Sequence, residues 1–145
     1  GDMGGAFFLD TVEAWLAGRI APQVQDGSRA TWCDRMTRQQ GEIDWQQPAA
    51  HIARQVRALT PWPGAFTFWQ GRQLGIIEAW PDESWQGTEA PGHVFTLAGE
   101  PAVATGAGAL RLKQVHLSGK RLMTAEQFAR GAAGFSSAML GRPMK

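Results

Sequence analysis

The apolar period of this sequence changes at Pro61-Trp62-Pro63-Gly64, and that change constrains the fold more than any other feature. Upstream, Ile52, Val56 and Leu59 recur at helical spacing over Pro48 to Leu59, with Arg54 and Arg57 off the apolar stripe. Pro48 suits a first helical turn, where a missing N–H costs nothing. Pro61 and Pro63 then end the helix abruptly. Downstream the pattern is that of strands. Ala65 to Trp69 and Gln73 to Trp80, joined by a Gln70-Gly71 turn, read as a hairpin. His93 to Leu97, Ala102 to Thr105 and Leu110 to Leu117 follow, separated by a polar acidic loop (Pro81 to Pro91) and glycine-rich turns. Several short strands behind one helix predict a mainly β fold, a small barrel or sandwich with flanking helices.

The remaining segments are helical or linking. Ala6 to Ala17 predicts an amphipathic helix with Phe8, Val12, Trp15 and Leu16 on one stripe and Gly18 as its stop. Arg19 to Arg29 has no apolar period and reads as a linker, and Ala30 to Cys33 as a short strand. Thr124 and Gln127 have the spacing of a capping box for a last helix, which Gly131 and Gly134 limit. Within Leu110 to Leu117 the alternation is mixed at the far end, where polar and apolar residues exchange faces.

At 145 residues the chain is one domain, or one domain plus a fragment. No apolar run approaches the length of a membrane span. One cysteine, Cys33, excludes an internal disulfide and fits a cytoplasmic setting. A buried or strand position is its expected role. Cys33, His51, His93 and His116 have no zinc-ligand spacing, so no metal is expected. Gly106-Ala107-Gly108 is too short for a phosphate cradle and reads as a hairpin turn. Of the seven tryptophans, Trp45, Trp62 and Trp69 are expected in core or hinge packing and Trp85 in solvent.

Charge is unevenly spread around a formal net of +1. Glu78, Asp82, Glu83, Glu89 and Glu100 crowd the middle, whereas from Pro101 onward the cations face only Glu126. Arg111 and Lys113 are two apart on a strand and so share a face, with Lys120 and Arg121 in the loop beyond. With Arg130, these are the candidate contacts to a polyanion, since phosphate binding needs only clustered cations. Arg54 and Arg57 are weaker candidates, Arg57 having an internal hydrogen-bonding role as its alternative. A solvated face is the alternative for the whole set.

Three segments carry a resemblance. They are Ile43-Asp44-Trp45 with Pro48-Ala49; the run from Ile52 to Thr67, which includes Arg57 and Pro61-Trp62-Pro63-Gly64-Ala65-Phe66; and Gly119 to Phe128. Pro91-Gly92-His93-Val94 and Val103-Ala104-Thr105-Gly106 match strand starts in the same order. Together they resemble the carboxy-terminal domain of the formyltransferase family, over about residues 30 to 131. Leu9 to Gly18, Pro22-Gln23 and Ala30-Thr31 resemble the last helix of that family's preceding catalytic domain and its linker.

The resemblance implies an oligonucleotide-binding-like (OB-like) barrel over residues 30–145. Residues 1–29 would be the last helix and linker of an amino-terminal catalytic domain that is itself a partner. In the methionyl-tRNA formyltransferase branch, the whole enzyme passes a formyl group from 10-formyltetrahydrofolate to methionine on initiator tRNA. The carboxy-terminal barrel assists by meeting the tRNA. The implied catalytic set is Asn–His–Asp in the amino-terminal domain, and this sequence contains no asparagine. The expectation is therefore a chain that does no catalysis alone and holds no cofactor of its own. The alternative is a packing and orienting domain of a sugar-nucleotide or folate-acting relative.

Overall fold

The computed structural model describes residues 2–142. The chain divides into two compact units, Gly1–Asp34 and Arg35–Lys145.

The first unit holds α1 (Asp2–Leu16). Gly18 takes the left-handed conformation (φ 71°). Its N–H donates to Trp15 O at 2.9 Å and that of Arg19 to Ala14 O at 2.9 Å. This pair of bonds satisfies the last carbonyls, and glycine accepts the φ without strain. Phe8, Trp15 and Leu16 of the expected stripe are exposed. The expected strand at Ala30 to Cys33 does not form. A strand exists only through its ladder, and no strand is found among the described residues of this unit to pair with it. Cys33 is consequently exposed rather than buried or in a strand.

The second unit is a six-stranded antiparallel sheet with two helices. Its strands are β1 (Ala65–Trp69), β2 (Arg72–Asp82), β3 (Val94–Leu97), β4 (Glu100–Ala104), β5 (Ala109–Leu117) and β6 (Met123–Thr124). They lie in the order β1-β2-β5-β4-β3, with β6 also on β5. The helices are α2 (Ala49–Leu59) and α3 (Ala125–Gly131). In α2, Ala49, Ile52, Ala53, Val56 and Leu59 are buried, and this face packs on β2 and β5. Each fully buried Ile, Leu or Val contributes about 1.5–3 kcal/mol. Pro48 stands one position outside the helix, as an extended N-cap (φ −61°, ψ 147°). The predicted capping box of α3 is present, with Gln127 N–H donating to Thr124 Oγ1 at 3.2 Å.

The mixed faces of β5 have a structural cause. Ile76 pairs with Val115 and Ala79 with Leu112, with register shifts on both sides of Glu78. The strand bulges near Lys113 and changes phase there. Leu110 and Leu112 are buried before the bulge, and Val115 and Leu117 after it.

No direct pairing of β1 with β3 closes the sheet among the described residues. Residues 138–141 bridge the two edges instead. Val94 N–H donates to Ala138 O at 2.8 Å, Leu140 N–H to Gly92 O at 2.8 Å, and Gly141 N–H to Phe68 O at 2.9 Å. Leu140 is buried in the core. Trp45 and Trp69 are buried too, whereas Trp62 is 59 % exposed and lies outside the core. Trp85, expected in solvent, stacks on Phe95 at 4.9 Å and is half-buried.

Candidate nucleic-acid interface

Two hairpin ends meet at one end of the sheet. The β1–β2 turn places Gln70 (φ 49°) and Gly71 (φ 74°) in the left-handed region, the geometry of a tight two-residue hairpin. Arg72 leaves this turn at the start of β2. Because β2 pairs with β5, Leu74 lies opposite Leu117, and Ser118 N–H donates to Gln73 O at 2.9 Å. The β5–β6 loop therefore stands beside the β1–β2 turn. Its own turn is closed by Lys120 N–H donating to Leu117 O at 2.8 Å, with Gly119 at φ 78°. Arg72 Nη2 donates to Ser118 O, and His116 Nε2 lies 2.7 Å from Lys120 O.

Arg72, His116, Lys120 and Arg121 are all exposed at this end. Among the described residues none of the four forms an ion pair. Three cations, Arg72, Lys120 and Arg121, stand beside two loops with no carboxylate partner, an arrangement that can neutralise phosphates of a polyanion.

Arg111 and Lys113 are placed differently. Both leave β5 on its half-exposed face, as the two-residue spacing predicted, but there they meet acids. Arg111 Nη2 is 2.8 Å from Asp82 Oδ2, and Lys113 Nζ is 2.5 Å from Glu100 Oε1. A bond from Ser84, and then that from Arg111, hold the Asp82 carboxyl below the usual range. The bond from Lys113 does the same for Glu100. Two cations and two carboxylates thus offset each other on this face.

Arg130 lies on the other flank of α3 from Lys120. It lines a recess with Glu126, Thr96 and Ser136, and its Nε donates to Glu126 O at 3.4 Å. Arg54 and Arg57 are exposed on α2, and no side-chain hydrogen bond of either is found among the described residues. The internal bonding role considered for Arg57 is therefore absent there. The structure brings Lys120 and Arg121 together and adds Arg72 and His116. It separates them from Arg130 and leaves Arg111 and Lys113 paired. Arg72 was missed because its signal, the residue after a Gln-Gly turn, shows only that it ends a hairpin. Which loop lies beside it depends on β2 pairing with β5.

Among the described residues no cluster of His, Cys, Asp and Glu has the geometry to hold a metal. No helix there is long and apolar enough to cross a membrane.

Fold and surface together define a mainly β module that presents charge at its strand ends. Residues 35–133 match the formyl transferase, C-terminal domain family, and the chain belongs to that family. The methionyl-tRNA formyltransferase of Roseiflexus sp. (strain RS-1) is 43 % identical over 129 residues, covering 89 % of this chain and 40 % of that relative. The methionyl-tRNA formyltransferase of Herpetosiphon aurantiacus is 40 % identical over 129 residues, covering 89 % of this chain and 42 % of that protein. The chain thus spans less than half the length of these relatives. Its fold also resembles part of HypX from Aquifex aeolicus, solved in complex with tetrahydrofolic acid. The TM-score is 0.59 at 23 % identity, over 88 % of this chain and 23 % of that one.

Proposed function

We propose that this chain is the substrate-assisting carboxy-terminal domain of an enzyme that formylates methionyl initiator tRNA. The observation that carries this reading is the unpaired basic end of the sheet, in a chain whose relatives bear that enzyme's name. Lys120, Arg121 and Arg72 meet the phosphates of the tRNA, and Arg130 extends the contact around α3. Phosphate contacts give affinity and orientation without reading sequence. The formyl group comes from 10-formyltetrahydrofolate held by the amino-terminal domain. The chemistry belongs to that domain, and no residue of this chain is assigned a catalytic role. The setting is cytoplasmic, where the tRNA is.

A second reading rests on α1. Its exposed Phe8, Trp15 and Leu16 form a face suited to packing against that catalytic domain. In this reading the chain orients its neighbour, in a sugar-nucleotide or folate-acting relative, and has no affinity for RNA.

A titration of the chain with initiator tRNA at two salt concentrations separates the readings. Assisting tRNA predicts binding that weakens steeply with salt. Lys120→Ala/Arg121→Ala should lower the log–log salt slope by about 1–2. Absence of binding at low salt would reject the tRNA reading in favour of the orienting one.

A further inference from the structure

Beside the basic end of the sheet lies an open groove of about 300 Å³, at the small end of ligand pockets, about 300–1,000 Å³. Its floor is apolar, made by the buried Trp69 and Phe128 with Met123 alongside. The two rings meet edge to face, 5.3 Å between centroids. Lys120 and Gln127 form its polar wall and Gly131 its rim, and none of its lining residues is acidic. Gln127 uses its Oε1 to accept from Thr124 N–H, at 3.3 Å, which leaves its amide N–H groups as donors.

We infer that this groove takes one unpaired nucleotide of an RNA strand, its base over the apolar floor and its phosphate toward Lys120. The inference rests on the tRNA reading and deepens it. Charge decides the occupant: an apolar floor alone would suit a hydrophobic side chain, but the wall offers an ammonium and amide donors with no carboxylate. An anionic ligand with a flat apolar part matches both halves. A base inside a duplex is stacked on its neighbours and cannot enter. The groove therefore selects unpaired positions, and base contacts of this kind tolerate any sequence.

Two substitutions address the groove without touching its cations. A Cβ at Gly131 meets nothing within 4 Å, so Gly131→Leu fills the rim in place. Gln127→Glu keeps the capping bond, since Glu also serves in the box, but puts a carboxylate on the wall. Binding of the full chain to a short unstructured RNA and to a fully paired RNA duplex is measured for both variants and for Lys120→Ala/Arg121→Ala. Circular dichroism confirms folding. The expected result is that each groove variant weakens the unstructured RNA about five-fold or more and leaves the duplex unchanged. The double alanine variant weakens both. If the groove variants bind the unstructured RNA as the parent does while the double variant weakens both, the groove inference is overturned and the phosphate reading stands. If the parent binds neither RNA at low salt, both fail. If sedimentation shows self-association that Gly131→Leu abolishes, the occupant is a second copy and the inference is again overturned.

Discussion

Lys113 Nζ lies 2.5 Å from Glu100 Oε1, and Arg111 Nη1 faces Oε2 of the same carboxylate at 3.9 Å. Glu100 thus holds Lys113 and lies near Arg111, whose hydrogen bond goes to Asp82. Lys113→Ala should therefore change RNA affinity far less than Lys120→Ala. Glu100→Gln, which frees Lys113 while Arg111 stays on Asp82, should tighten binding by about two-fold at low salt, with the gain lost as salt rises. Filter binding of the three variants checks this. An equal loss in both lysine variants would return Lys113 to the contact surface.

The same pairs set a pH dependence. Asp82 and Glu100 both have folded pKa values below their ordinary 3.8 and 4.5. A depressed carboxyl contributes stability that is complete above its ordinary value and is lost as pH falls through the folded one. Urea midpoints measured at neutral pH and at about pH 3 should drop more for the parent than for Asp82→Asn/Glu100→Gln. Asp44, held low by bonds from Gln47 and Gln46, leaves a residual drop in the variant. Equal drops would mean that these pairs contribute nothing to acid sensitivity.

Gly106 is fixed by its neighbour rather than by its own conformation. Its N–H donates to Trp45 O at 2.9 Å, and an added Cβ would overlap the backbone carbonyl of Gln46. Gly106→Ala should destabilise by about 3 kcal/mol or more, because backbone must move. Gly131→Ala, where the Cβ meets open space, should instead be neutral or stabilising by up to about 1 kcal/mol. Thermal melts of the pair test both signs.

The start of α3 depends on its capping box. Thr124→Ala removes the acceptor for Gln127 N–H and should cost about 1 kcal/mol, read as a lower urea midpoint with unchanged slope.

Leu140 lies beyond the family-matched residues 35–133 yet is buried among the core side chains. Leu140→Ala should cost about 2–4 kcal/mol. A cost under about 0.5 kcal/mol, typical of a surface change, would show that the bridging segment is dispensable.

Much of the second unit could be read in the sequence because its signals are local. The stripe of Ile52, Val56 and Leu59, the Gln70-Gly71 turn and the Thr124–Gln127 box each depend on residues within a few positions. The misreadings share a different cause. Ala30 to Cys33 has strand composition but no ladder partner, and Trp62 belongs to a matched motif yet faces solvent. Trp85 sits in an acidic loop but finds Phe95 on β3. The candidate site divides the same way. Lys120 and Arg121 were visible as adjacent cations in a loop, whereas the addition of Arg72 and the pairing of Lys113 with Glu100 were not.

The sequence by itself determined where helix gives way to strand, where α3 starts, that the last third is basic, and which family the motifs resemble. Period, caps and turns act over a few residues, so composition and spacing carry them. Only the tertiary structure decided that β2 lies against β5, that β5 bulges at Lys113, and that residues 138–141 bridge the sheet edges. These are pairings between distant segments. Each is selected by the burial and hydrogen bonding of the assembled sheet, a property that no single stretch of chain possesses.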